Sequence, residues 1–170
     1  MNWSKTRTIA VPIEIVWSLF DESQAARIMP KVLKNEWISK TDEMVGSTYE
    51  QTYQEGKLTE SYVVVITEYE NTPDRKIKKL FFQLANTFDM ELSFNLEKAS
   101  ETETKFTYSG SNKGTNFLGR AMLLLGSSKK ADIVFTDFLN RVEAEALKDY
   151  KEVKTHEVHP SSNESAHQEQ

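Results

Sequence analysis

Apolar residues alternate most cleanly at 87–97, where Phe88, Met90, Leu92, Phe94 and Leu96 fall on one side and Asp89, Glu91, Ser93, Asn95 and Glu97 on the other. A period of two with one dry and one wet face predicts a strand lying on a core. After the polar Ser100-Glu101-Thr102, the residues Thr104, Phe106 and Tyr108 continue the scheme to Gly110. Looser alternation at 3–11 (Trp3, Lys5, Arg7, Ile9, Val11) predicts a first strand, and further strands are expected at 34–40, 47–54, 58–70 and 75–84. Glu55-Gly56-Lys57, Asn71-Thr72-Pro73-Asp74 and Asn86 carry turn chemistry between them. Such short connections predict antiparallel neighbours in a meander.

The period changes to helical in two places. Pro12 suits the first turn of a helix, and Ile13, Val16, Trp17 and Phe20 then share one face. Asp21 or Ser23 can cap a second short helix at 24–28, closed by Met29-Pro30. Near the other end, Thr115 or Asn116 can cap a helix whose apolar face starts with Phe117, Leu118, Ala121, Met122 and Leu125. Gly126-Ser127-Ser128 should weaken or kink it. Ala131, Val134, Phe135, Phe138, Leu139, Val142 and Ala146 then recur at helical spacing to about Tyr150, with Glu143, Glu145, Lys148 and Asp149 on the outer side. A helix of roughly 30 residues extends about 45 Å, enough to cross the concave face of a bent sheet.

Composition narrows the chemistry. The 170 residues allow one domain and no second full one. There is no cysteine, so disulfides, thiolate metal sites and cysteine nucleophiles are excluded. All three histidines, His156, His159 and His167, follow Val153 in a polar stretch without apolar period, expected to be a disordered tail over 152–170. The folded part, 1–151, therefore offers neither a Ser-His-Asp arrangement nor His-ligated metal chemistry, and no metal or cofactor is expected. A net charge of −5 speaks against general affinity for nucleic acid. Met1-Asn2-Trp3-Ser4-Lys5 lacks the apolar run of a signal peptide, and no stretch is long and apolar enough for a membrane span, so a cytoplasmic location is expected.

A bent sheet closed by one long helix brings large, soft side chains together. Phe82, Phe88, Met90, Phe94, Phe106, Tyr108, Met122, Phe135 and Phe138 are expected to point inward, with Val64, Ile66, Leu84, Leu92 and Phe117 beside them. These residues either fill the space as a solid core or line a cavity. Tyr49, Gln51, Tyr53 and Tyr62, on otherwise inward faces, favour the cavity, because a buried hydroxyl or amide needs a partner that a ligand or water can supply.

The order of these elements resembles a known superfamily. Ile9-Ala10-Val11-Pro12-Ile13-Glu14-Ile15-Val16-Trp17, followed by Ala26-Arg27-Ile28-Met29-Pro30, is similar to the opening of the START-like (SRPBCC) superfamily in its polyketide cyclase/dehydrase-like branch. Val45-Gly46-Ser47, the strand end and turn from Glu68 to Pro73, and the long last helix also fit over about 1–150. One departure is Ile28, where the family turn often has Trp before Met-Pro. The resemblance implies an α+β helix-grip fold, Bet v 1-like, with a curved antiparallel sheet of about seven strands gripped by the C-terminal helix around a deep apolar cavity. It also implies a lipid, polyketide or aromatic ligand, and carries over no catalytic residue.

Three classes of function follow. The leading one is binding of a small hydrophobic molecule, for which aromatic and Met walls are well adapted. The second is a cyclase- or dehydratase-type enzyme using Tyr49, Tyr53, Tyr62, Tyr108 or an inward carboxylate such as Glu50 or Glu60 as acid or base. The third is a protein-interaction module of the chaperone-activator or lipid-carrier type, contacting its partner through the tail and the Ala121-Met122-Leu123-Leu124-Leu125 patch. Gly119 and Gly126 either let the first part of the last helix move as a gate or allow close packing.

Overall fold

The computed structural model describes residues 1–115 and 128–158. The elements run in the order β1 (Asn2–Ile9), α1 (Ile13–Ser18), α2 (Ala25–Ile28), β2 (Val32–Ser39), β3 (Thr48–Glu55), β4 (Leu58–Asn71), β5 (Arg75–Leu84), β6 (Phe88–Ser100), β7 (Glu103–Gly114) and α3 (Ser128–Val158). The seven strands form one antiparallel sheet in the order β1-β7-β6-β5-β4-β3-β2. Six strands are a plain meander, and β1 closes the sheet by pairing with the last, Ile9 opposite Thr104 and Asn2 opposite Ser111.

Two turns have local causes. Gly56, at φ 59°, starts the tight β3–β4 hairpin in a conformation a side chain would resist. Between β5 and β6 both Ala85 (φ 52°) and Asn86 (φ 51°) are left-handed, and the Thr87 amide closes the turn on the Leu84 carbonyl at 3.0 Å. Register shifts in β2, β4 and β6 insert an extra residue and bend the sheet. The shift between Ile66 and Glu68 also changes phase: Tyr62, Val64 and Ile66 point inward before it, and Tyr69 packs on the core after it.

The core lies where α1, α2 and α3 meet the concave face. Ile9, Val11, Val16, Leu19 and Ile28 close one end against Val64, Ile66, Leu96 and Phe106, and Leu139, Val142 and Ala146 come from α3. Asp21 performs the expected cap, accepting from the Ser23 amide at 2.9 Å ahead of a single 3-10 turn and α2. Polar side chains tie α3 down at its flank: Lys5 pairs with Asp132, and Arg7 donates to Asn140 at 2.5 Å and to Glu143 at 2.9 Å.

The helix departs from expectation at its C-terminal end. Residues 152–158 are helical and exposed, whereas the polar composition predicts a disordered tail from 152. Once a helix is nucleated, each added residue gains a hydrogen bond for one fixed pair of dihedrals, so good helix formers such as Lys and Glu extend it without packing. Lys154 lies 4.1 Å from the Tyr150 ring, and Thr155 donates to the Lys151 carbonyl at 2.9 Å. The N-terminal part of the expected helix, including Phe117, Gly119, Met122, the 121–125 patch and Gly126, lies outside the described residues.

Candidate functional site

A cavity of about 490 Å³ lies between the sheet and α3. Its sheet side is built by alternation: Tyr62 on β4, Phe82 and Leu84 on β5, Met90, Leu92 and Phe94 on β6, and Tyr108 on β7 border it. Gln51 and Tyr53 on β3 complete that wall, and Phe135 and Phe138 close it from α3. Aromatic contacts set the ring positions. Tyr62 stacks on Phe82 at 4.7 Å, and Phe94 stacks on Tyr108 at 5.7 Å. Phe138 lies 4.6 Å from Tyr108.

Several expected wall residues sit elsewhere. Val64, Ile66 and Phe106 are fully buried in the packed core, because α1 and α2 cover that end of the sheet. Phe88, at the open end of β6, is partly exposed and does not border the cavity. Tyr49 borders a small neighbouring recess of about 20 Å³ beside α2, room for about one water. Phe117 and Met122 lie outside the described residues.

The sequence reading missed other lining residues. Trp3 reaches the cavity from β1 and stacks on Phe135 at 4.6 Å. Its position in the odd-numbered face of the first strand was the available signal. Ile28, Met29, Pro30 and Val32 contribute from α2 and the start of β2, and Val134 from α3. Lys31, Asp137 and Arg141 are exposed at the cavity's border. Lys31 also pairs with Glu55 at 2.5 Å, and Tyr53 donates to that carboxylate at 2.6 Å.

A polar chain runs from this cavity toward α2. Tyr62 donates to Gln51 Oε1 at 2.8 Å, Gln51 Nε2 to Asn35 Oδ1 at 2.9 Å, and Asn35 Nδ2 to the Glu22 carbonyl at 3.0 Å. Lys78, an inward residue of β5, donates to the Phe20 carbonyl at 2.8 Å and pairs with the Glu22 carboxylate, both side chains buried. The lysines at 76 and 78 occupy the inner positions of β5 ahead of Leu80 and Phe82, a pattern that the sequence reading left unused. Burial pushes the Tyr62 and Tyr108 hydroxyls above the ordinary tyrosine value of 10.0. Tyr49 is raised by burial and by the negative charge of Glu22. These tyrosines therefore stay neutral across the physiological range. Glu50 and Glu60, the carboxylates considered for acid–base work, are exposed. Among the described residues, no group of three His, Asp or Glu side chains gathers as a metal set. No helix among them is long and apolar enough to cross a membrane.

No protein-family model matches this sequence, and neither does any curated protein sequence. Solved structures do match. A START superfamily protein from Mycobacterium smegmatis superposes with a TM-score of 0.67 at 13% identity, over 86% of this chain and 97% of that one. The Zhui aromatase/cyclase from Streptomyces sp. R1128 gives 0.65 at 15% identity, over 98% and 99%. A conserved protein from Geobacillus kaustophilus gives 0.62 at 19% identity, over 88% and 97%. With the strand order, the short N-terminal helices and the long helix on the concave face, these likenesses establish that the chain has a START-like helix-grip fold.

Proposed function

We propose that this protein binds a small, largely apolar molecule in the cavity between the sheet and α3. The observation that carries the reading is the cavity itself: about 490 Å³, within the usual range for small-molecule sites, and walled mainly by aromatic and aliphatic side chains from β4 to β7 and α3. Burial of apolar surface there supplies the main driving force, at about 25 cal/mol per Å² before the costs of ordering. Met90 and the Phe rings can adjust to guests of different outline. The likeness to a START superfamily protein and to an aromatase/cyclase supports a fold suited to such a site. The acid–base alternative draws no support from the exposed Glu50 and Glu60.

The test is to fill the cavity. Titration with an environment-sensitive naphthalene dye should show saturable binding to the full chain. Leu92→Trp, which projects an indole into the space, should weaken it by about tenfold or more while the circular dichroism spectrum is retained. Dye binding that is indifferent to both Leu92→Trp and Leu84→Trp would remove the cavity from consideration.

A further inference from the structure

We infer that Tyr62 faces the cavity as a hydrogen-bond acceptor, and that the bound molecule therefore presents a hydroxyl or N–H donor to it, as a hydroxylated aromatic or polycyclic compound does and its ether, ketone or hydrocarbon analogue does not. This rests on the ligand-binding reading above and adds the polarity of Tyr62, where that wall is wired into a buried network.

The direction of the chain follows from its anchor. The Glu22 carbonyl can only accept, so the atom of Asn35 that meets it at 3.0 Å is the amide nitrogen. Asn35 then turns its oxygen to Gln51, which must answer with its own nitrogen at 2.9 Å. That leaves Gln51 Oε1 toward Tyr62, and an amide oxygen 2.8 Å from a phenol requires the phenol to donate. The Tyr62 proton is thereby committed, and what its oxygen retains is a lone pair. Lys78 holds the anchor by gripping both the Phe20 carbonyl and the Glu22 carboxylate, and stacking on Phe82 holds the Tyr62 ring. Gln51 is 6% exposed, so a ligand acceptor that drew the phenol proton away would strand Oε1 with little access to water.

Matched probes test this on the full chain: naphthol and its methyl ether, which share a ring system and differ in donor capacity. Hydrophobicity alone favours the ether. The inference expects naphthol to bind roughly three- to tenfold more tightly, the range of one neutral hydrogen bond. Tyr62→Phe should abolish the preference. Gln51→Met should release the Tyr62 proton and let the ether bind more tightly than it does to the natural chain; this arm also decides the matter if Tyr62→Phe does not fold. Equal affinities in the natural chain, or a preference that persists in Tyr62→Phe, overturn the inference while leaving ligand binding intact. Failure of both probes to bind overturns the two together.

Discussion

Gly110 shows how a single position shapes the cavity wall. It lies opposite Trp3 in the β1–β7 ladder, and a Cβ there would run into the Trp3 indole and the Glu91 carbonyl. The indole therefore lies over the strand and reaches Phe135, an arrangement that no residue with a side chain would permit. Gly110→Ala should destabilise the fold by about 1–3 kcal/mol, the usual cost of overpacking, read as a lower urea midpoint. Ala85 makes the opposite case. Its left-handed backbone disfavours any Cβ, so Ala85→Gly should raise stability by about 0.5–1 kcal/mol, part of the strain relieved being offset by greater freedom in the unfolded chain. Neither role was legible beforehand. Gly110 reads only as a strand end and Asn86 only as a turn, because what a glycine makes room for is set by its cross-strand neighbour.

At the scale of elements, α2 and α3 are coupled through Arg27. Its guanidinium meets both Asp149 oxygens, at 2.6 and 3.0 Å, and donates to Glu145 at 2.9 Å. A planar fork on two carboxylates, partly shielded from water, resists replacement by lysine. Arg27→Met should cost about 1–2 kcal/mol, allowing for partial exposure, and the loss should shrink as salt is added, in parallel thermal melts of variant and natural chain. The buried Lys78–Glu22 pair behaves differently. Glu22→Leu alone leaves a buried cation and should cost about 3–5 kcal/mol, whereas Glu22→Leu with Lys78→Met should cost far less. A double-mutant cycle measures the difference, and additive losses would contradict it. Element type was readable in the described residues up to about 151, since periods of two and 3.6 need only local order, and failed at 152–158, where the helix runs on without an apolar period. The inward lysines of β5 were not understood, because their partners come from the segment around Phe20 and Glu22, distant in sequence.

For the molecule as a whole, several tyrosines are buried on one concave face. Tyr49, Tyr62 and Tyr108 have hydroxyls pushed above 10.0, chiefly by burial. The sign follows directly: above pH 10 the unfolded chain ionises these groups while the folded chain keeps them protonated, so the unfolded state binds fewer protons and stability falls as pH rises. Below that pH their contribution is constant. Alkaline titration should therefore show buried tyrosinate absorbance appearing together with loss of secondary structure. Ionisation of all six tyrosines before unfolding would contradict the burial described.

Local pattern determined that this chain makes an antiparallel meander of about six strands with short helices near its start and a long one near its end, since alternation, turn residues and helical spacing act over a few residues at a time, whereas the pairing of β1 with β7 joins distant segments. Composition also determined that residues 1–151 carry neither histidine nor cysteine, although the helix, running on to Val158, takes in His156. Tertiary structure decided which inward residues become wall and which become solid core. Phe106 and Phe94 occupy equivalent alternating positions, yet α1 and α2 pack over the end that buries Phe106, while Phe94 still meets the open space. The polarity of Tyr62 was likewise decided by distance: its proton is directed by a carbonyl on another element, through two amides whose orientation exists only once the chain has folded.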